Sequence, residues 1–410
     1  MTERILDSLR ESEKGKTTID EALRRGVEVV LPSKEDLEVE MKTRPLKLYL
    51  GIDPTSPELH IGHAVPLRKL RQFQDLGHDV ILLFGTFTGK IGDPSDKSAA
   101  RIRLTDEQIA INMATYVEQA GRILDMSKIR LVQNHEWLGK LTLEDVIDIQ
   151  ANFTVQQMLE RKMFQQRLED NKPIWLQEFS YPWMQGWDAV ALDVDLEVGG
   201  KDQLFNMLVG QTLVRRYKNH EKWILGTKLI EDPSGKKMGK TEGNIVNIQD
   251  WEEVKYEGLM SWPDSAISMG FELITSVPME GVYRAEIALD KGEVHPMELK
   301  ETFAWRAVAE LDGSEAADYA QTEFDRVIRK GEIPKRMKEF QIAEKGITLS
   351  QILVGSGLVG KEGEAIKKIA SGAVYVDGVS LNKNIEWGKS GGIVKIGKKT
   401  IKNIRKVVLI

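Results

Sequence analysis

Residues 54–63 read Pro54-Thr55-Ser56-Pro57-Glu58-Leu59-His60-Ile61-Gly62-His63, and their flanks set the fold. Upstream, Leu46, Leu48, Leu50 and Ile52 point one way while Lys47 and Tyr49 point the other, the period-two pattern of a strand. Downstream, a helix is predicted over 62–76, ended by Gly77, and Val80-Ile81-Leu82-Leu83-Phe84 follows as a second apolar strand. The two histidines therefore sit where the first strand of a βαβ unit gives way to its helix. In open parallel sheets ligands bind at that end of the strands. A helix N-terminus there offers unpaired N–H groups and partial positive charge, which suit phosphate. Two imidazoles so placed are candidate donors to a nucleotide. The alternative is a loop histidine and a helix-capping histidine with no ligand.

The strand–helix alternation continues outward. Strands are predicted at 46–52, 80–85, 128–133, 193–198 and 223–226. Between them a helix over 106–123 opens on Thr105 with Gln108 three residues later, a capping-box pattern. Another begins after Thr142, and one long amphipathic helix is read over 154–169, stopping near Asn171-Lys172-Pro173. The pattern predicts an α/β protein with a Rossmann-like, doubly wound parallel sheet. A helical segment (1–34) precedes this domain (35–245). Residues 246–332 read as helical, with turns at Pro263, Pro278 and Gly292, and 333–346 as a linker. Residues 347–410 read as a small α+β module, with helices over 347–358 and 362–370 followed by short strands.

Apolar residues make up 41% of the 410 and charged residues 29%, ordinary values for a globular chain. No run of 18 apolar residues exists, so no membrane-spanning helix is expected, and the first residues lack a signal-peptide pattern. With no cysteine, disulfides, thiolate metal sites and a cysteine nucleophile are excluded, which fits a cytoplasmic protein. The net charge of −6 hides an asymmetry: residues 347–410 carry 11 Lys/Arg against 4 Asp/Glu. An acidic body with a basic terminal module fits a polyanionic partner and fits a solvated lysine-rich surface equally well.

Four further stretches carry candidate chemistry. Asp232-Pro233-Ser234-Gly235-Lys236-Lys237-Met238-Gly239-Lys240-Thr241 crowds three lysines into a glycine-flanked loop after the last sheet strand. Such a loop can close over a polyphosphate, although it lacks Walker spacing; taken alone, a solvent-exposed basic turn is the simpler reading. In Tyr181-Pro182-Trp183-Met184-Gln185-Gly186-Trp187-Asp188 the residues Tyr181, Gln185 and Asp188 share one helix face among apolar neighbours. A phenol, an amide and a carboxylate there can bind an ammonium group and a hydroxyl, or can simply bridge helices. Gly199-Gly200-Lys201-Asp202-Gln203 follows a strand and opens a helix, so that Asp202 could accept from a ribose and Gln203 could border a pocket. Thr86-Phe87-Thr88-Gly89-Lys90-Ile91-Gly92-Asp93-Pro94-Ser95 places Asp93 at the ligand end of the second strand, with Lys97 and Arg101 on the loop beyond. Plain turn chemistry accounts for either of the last two equally well.

Taken in order, these stretches resemble the class I aminoacyl-tRNA synthetases. His60-Ile61-Gly62-His63 matches their HIGH motif, and Lys237-Met238-Gly239-Lys240-Thr241 matches their KMSKS-type motif. Gly51-Ile52-Asp53-Pro54-Thr55, Ile91-Gly92-Asp93-Pro94-Ser95, the Tyr181/Gln185/Asp188 stripe and Gly199–Gln203 are similar to the bacterial tyrosine-specific members, strongly over 35–245. The last 64 residues resemble an RNA-binding module shared with a small-subunit ribosomal protein.

The resemblance implies tyrosine activation by ATP, with Mg²⁺ accompanying the nucleotide and no metal held by the protein, followed by transfer to tRNA(Tyr). It implies that His60 and His63 stabilise the ATP phosphates and that Lys237 and Lys240, aided by Thr241, hold the departing pyrophosphate. Lys97 and Arg101 would belong to a loop that closes late. Tyr49 and Asp188 would bind the substrate phenol. Asp93, Tyr181 and Gln185 would bind its ammonium, with Gln203 and Thr88 beside them. Gly51, Asp53, Thr55, Gly62, Gly200 and Asp202 would line the ATP site. A homodimer through helices near 154–169 is also implied. Asp96, Lys201 and Leu50 depart from the usual pattern around the nucleotide. Rival readings are a tryptophan-specific synthetase, a non-catalytic RNA-binding protein on a synthetase scaffold, and a pantothenate-synthetase-like ligase.

Overall fold

The computed structural model describes residues 2–12, 15, 17–94, 104–231, 246–343 and 346–409. The chain divides into two units, one of 1–249 with 263–295 and one of 250–262 with 296–410. In the first, β1 (Val27–Leu31), β2 (Lys47–Ile52), β3 (Asp79–Phe84), β4 (Ile129–Gln133), β5 (Leu196–Gly200) and β6 (Trp223–Thr227) form a six-stranded sheet in the order β1-β6-β5-β2-β3-β4. The five strands from β2 to β6 are mutually parallel, and β1 runs antiparallel to β6. The chain winds from β2 outward through β3 and β4, then crosses to β5 and β6 on the other side. Its switch point therefore lies between β2 and β5, where open sheets leave a crevice at the strand carboxyl ends.

Three expectations need correction. The segment 1–34 is not purely helical: Val27-Glu28-Val29-Val30-Leu31 pairs with β6, as its β-branched content favours. The long helix over 154–169 is two helices, Val155–Leu159 and Lys162–Glu169. Arg161 breaks it with an extended backbone (ψ 125°) and turns its side chain inward to Asp93, 3.6 Å away. The stretch 333–346 is not merely a linker, since Lys338–Ile342 forms a strand.

The helical stretch 246–332 is shared between the units. Helices Ile267–Ile274 and Met279–Asp290 belong with the sheet. The Arg25 guanidinium fastens them there by donating to the carbonyls of Phe271, Glu272, Thr275 and Val277 at 2.7–2.9 Å. Helices Glu252–Met260, Pro296–Asp312 and Ser314–Phe324 pack within the second unit, where Tyr256 meets Phe324 and Trp262 meets Phe303.

That unit also carries a five-stranded sheet, β7 (Lys338–Ile342), β8 (Val374–Val376), β9 (Val379–Leu381), β10 (Gly391–Ile396) and β11 (Ile404–Leu409), in the order β7-β11-β10-β8-β9. Strand β7 runs parallel to β11 and adds Phe340 and Ile342 to the module's core. The buried carboxylate of Glu257, on the helix Glu252–Met260, accepts from the backbone N–H groups of Ile401 and Lys402 at 3.0 and 2.7 Å. The module is thus pinned to its helices by directed bonds. No helix among the described residues is long and apolar enough to cross a membrane.

Candidate functional site

His60 caps the helix Ile61–Asp75: its Nδ1 accepts from the Gly62 N–H at 3.1 Å, and His63 Nδ1 accepts from the His60 N–H at 3.2 Å. Each ring spends Nδ1 as an acceptor, so in the neutral form the proton sits on Nε2. The helix-capping alternative is therefore real, yet it also presets both imidazoles as Nε2 donors. The rings lie 4.0 Å apart between centroids. Glycine is needed at 62, because a Cβ there would stand 2.8 Å from the His60 ring.

The backbone around this pair is fixed from a distant part of the chain. Ile61 N–H donates to the Val246 carbonyl at 2.9 Å, and Ile248 N–H donates to the Leu59 carbonyl at 2.8 Å. At the other flank of the basic stretch, Glu231 pairs with Lys201 at 3.0 Å. The flanks of the basic stretch are thus anchored, while Lys237, Lys240 and Thr241 themselves lie outside the described residues, as do Asp96, Lys97 and Arg101.

Behind Gly51 and Ile52, at the carboxyl end of β2, Asp53 accepts from the Thr88 hydroxyl at 2.7 Å and from the Tyr181 hydroxyl at 2.9 Å. Its carbonyl takes the Thr55 N–H at 2.8 Å. Tyr181, Gln185 and Asp188 project from one side of the helix Ser180–Leu192, as their spacing requires. Asp188 is 2% exposed and accepts from Trp137 Nε1 at 2.7 Å and Asn134 Nδ2 at 3.2 Å. Burial pushes this carboxyl well above the usual carboxylate range, and the two donors work against that shift. Tyr49 is fully buried on β2 and donates to the Gln185 carbonyl at 3.4 Å. Burial, with Glu197 and Asp188 nearby, pushes its phenol well up; burial with Asp53 and Asp93 does the same to Tyr181. Both remain O–H donors at neutral pH.

Gln203 Nε2 donates to Asp93 at 2.7 Å, and Asn206 Nδ2 donates to the side-chain oxygens of Gln203 and Gln185 at 2.9 and 3.0 Å. Tyr49, Asp53, Thr88, Asp93, Tyr181, Gln185, Asp188 and Gln203 thus stand in one polar region. Gly200 and Asp202 flank it on the turn after β5, with Asp202 exposed. No group of three or more His, Cys, Asp or Glu among the described residues is arranged to hold a metal.

Sequence reasoning missed Asn134, Trp137, Arg161, Glu197, Asn206 and Lys222. Asn134 and Trp137 had a usable signal, since they follow β4 at the same carboxyl end as the other candidates. A separate groove of about 580 Å³, lined in part by Arg44, Lys47, Asp79 and Asp195, opens at the opposite ends of the strands. Its charges are already matched, with Arg44 on Asp195 at 2.8 Å and His220 on Asp193 at 3.1 Å.

Against known proteins, residues 41–329 match the family described as tRNA synthetases class I (W and Y). A tyrosine–tRNA ligase of Moorella thermoacetica is 42% identical over 386 residues, covering 92% of this chain and 93% of that protein. That of Thermotoga maritima is 40% identical, covering 87% and 89%. The chain belongs to the tyrosine–tRNA ligase family of class I synthetases. A C-terminally truncated mitochondrial tyrosyl-tRNA synthetase of Aspergillus nidulans shares the fold (TM-score 0.64, 21% identity, 79% of this chain and 97% of that one). So does a tyrosyl-tRNA synthetase of Archaeoglobus fulgidus crystallised with L-tyrosine (TM-score 0.58, 21% identity, 74% and 100%).

Within this family member, Trp137 is expected to hold the Asp188 carboxylate. Trp137→Phe removes a donor that favours the charged form, so Asp188 should titrate at a still higher pH than in the parent. Carboxyl ¹³C NMR against pH reads the midpoint; an unmoved midpoint means the indole does not support the carboxylate.

Proposed function

We propose that the chain activates L-tyrosine with ATP, forming tyrosyl-adenylate and pyrophosphate, and then transfers tyrosine to the 3′ end of tRNA(Tyr). The observation that carries the reading is the polar region at the carboxyl ends of the sheet, with Tyr49, Tyr181 and Asp188 buried and Gln185 and Asp93 half-buried. Asp188 and Tyr49 offer a hydroxyl-binding pair, and Asp93, Tyr181 and Gln185 offer oxygens to an ammonium group. A site built to bond a substrate hydroxyl rejects the ligand lacking it, because its buried polar atoms are left unpaired; tyrosine-specific synthetases are themselves the standard illustration.

The substrate carboxylate is already ionised, so attack on the α-phosphorus needs no general base. Acceleration then rests on positioning and on donors aimed at charge growing on the leaving pyrophosphate. The Nε2 donors of His60 and His63, with Lys237, Lys240 and Thr241, are the residues we assign to it. Mg²⁺ enters with ATP and neutralises phosphate charge. Lys97 and Arg101 are assigned to the same role, and Gly51, Thr55, Gly62, Gly200 and Asp202 to the nucleotide. Asp53 and Thr88 bond each other, and Asp53 also bonds Tyr181, which suits them to support these contacts.

The basic module is assigned to tRNA. Trp387 is buried in its core and Lys395 lies over Tyr375, so phosphate and shape contacts are favoured over base stacking. A homodimer is supported by apolar side chains left open between β4 and the helix Ser180–Leu192. Leu176 is 85% and Leu143 76% exposed, with Ile147, Val155 and Trp175 also open. An activity on tRNA fits a cytoplasmic protein.

Four measurements test this. ATP–pyrophosphate exchange should depend on tyrosine and not on tryptophan, phenylalanine or pantoate; exchange with another of these would overturn the assignment. In the same assay His60→Ala should lower the rate constant about 10²–10³-fold, the cost of one lost transition-state donor, with tyrosine affinity little changed. Removing residues 333–410 should spare exchange and weaken tRNA charging, whereas loss of both makes the module structural. Ile147→Glu with Leu176→Glu should shift sedimentation from dimer to monomer, and an unmoved dimer puts the interface elsewhere.

A further inference from the structure

We infer that the buried ion pair of Glu197 and Lys222 is a positioning device for the tyrosine amino group, fixing which end of the Gln185 amide faces the substrate. The inference rests on the reading above and concerns residues with no part in its chemistry. Glu197 lies on β5 opposite Tyr49 of β2 and is 2% exposed; Lys222, just before β6, is wholly buried. Lys222 Nζ contacts Glu197 Oε2 and donates to the Met207 carbonyl at 3.1 Å. The helix Leu204–Lys218 passes so close that a Cβ at Gly210 would stand 2.8 Å from that ammonium. A buried carboxylate is costly unless paired, and Lys222 supplies the pair.

The other oxygen, Glu197 Oε1, accepts from Gln185 Nε2 at 3.0 Å. Gln185 Oε1 therefore turns to Asn206 Nδ2, which also holds Gln203 Oε1, while Gln203 Nε2 is spent on Asp93. Beyond Asp93 stands Arg161, buried between the rings of Phe164 and Phe205. Three amides thus lie between two carboxylates, each backed by a cation. Turning the amides over would set their oxygens against Glu197 and Asp93, so the ends dictate the orientation of the middle. An ammonium group has three donors and no acceptor. It gains from Gln185 only if that residue presents oxygen.

Glu197→Gln tests the device at constant shape. The Lys222 ammonium should claim the new side-chain carbonyl, leaving NH₂ toward Gln185, whose oxygen then turns to meet it and whose own NH₂ faces the substrate. Equilibrium dialysis should show the tyrosine Kd rising about 10–100-fold, as for a misplaced charged hydrogen bond, with kcat of exchange at saturating tyrosine nearly unchanged. Binding of 3-(4-hydroxyphenyl)propanoate, which has the phenol and no ammonium, should not weaken. Glu197→Gln with Lys222→Met removes the competing ammonium. The introduced amide would then accept from Gln185 and donate to the Met207 carbonyl, and tyrosine affinity should return to within about threefold of the parent.

Equal weakening of both ligands would make the pair merely structural and overturn the inference, as would an unchanged tyrosine Kd or a folded double variant without recovery. Thermal unfolding checks each variant. If only the double variant folds, near-parental tyrosine affinity supports the inference and a loss beyond about tenfold overturns it. A parent lacking tyrosine-dependent exchange would remove the underlying reading as well; a parent with exchange and an unaltered single variant removes the inference alone.

Discussion

Four carboxylates share one site in this sheet, and the rest of the structure answers to the cost of placing them there. Asp53, Asp93, Asp188 and Glu197 converge near the switch point between β2 and β5, where water is largely excluded. Burial pushes the Asp188 carboxyl up, and the charges of Glu197 and Asp53 add to that. Each carboxylate is balanced differently. Asp188 has neutral donors from Trp137 and Asn134, Glu197 has a buried ammonium, and Asp93 has an amide and a guanidinium. Asp53 has two hydroxyls. The result is a pocket rich in acceptors whose two phenols are held neutral. Such a surface has little to offer an anion and much to offer a ligand carrying an ammonium and a hydroxyl.

This balance explains what could and could not be read from the sequence. The strands β2 to β6 were legible because each is a short apolar run bounded by turn chemistry, and their alternation with helices makes them parallel. The stripe of Tyr181, Gln185 and Asp188 was legible because helical periodicity alone puts it on one face. Its partners were not. Lys222 looks like any lysine in the run Lys218-Asn219-His220-Glu221-Lys222, and only tertiary packing converts it from a surface charge to a buried one. Arg161 was misread for the same reason. Local pattern favours a continuous helix there, and the pull of Asp93 on the guanidinium wins over propensity. Strand β1 carries a β-branched run that the helical reading of 1–34 passed over, and β7 lies in the Lys- and Glu-containing stretch read as a linker.

The two functional halves of the site place opposite demands on the chain. The proposed recognition needs a fixed set of acceptors, and the candidates for it stand on or beside β2, β5 and the helix Ser180–Leu192, bonded to neighbouring groups. Activation needs donors that meet charge only as it develops, so they must not be consumed beforehand. The histidines contribute by committing Nδ1 to the backbone, which presets the tautomer that carries its proton on Nε2. The antiparallel bridge between His60 and Asn247 extends the logic along the sequence. Because Val246 bonds Ile61 directly, the stretch bearing Lys237 and Lys240 cannot have its end displaced without disturbing the cap that orients His60. A substitution at Val246 that shifts its carbonyl would therefore act on the histidine pair through the backbone. In the proposed reading, separating a bonded recognition pocket from the histidine donors lets tyrosine binding coexist with donors aimed at the transition state.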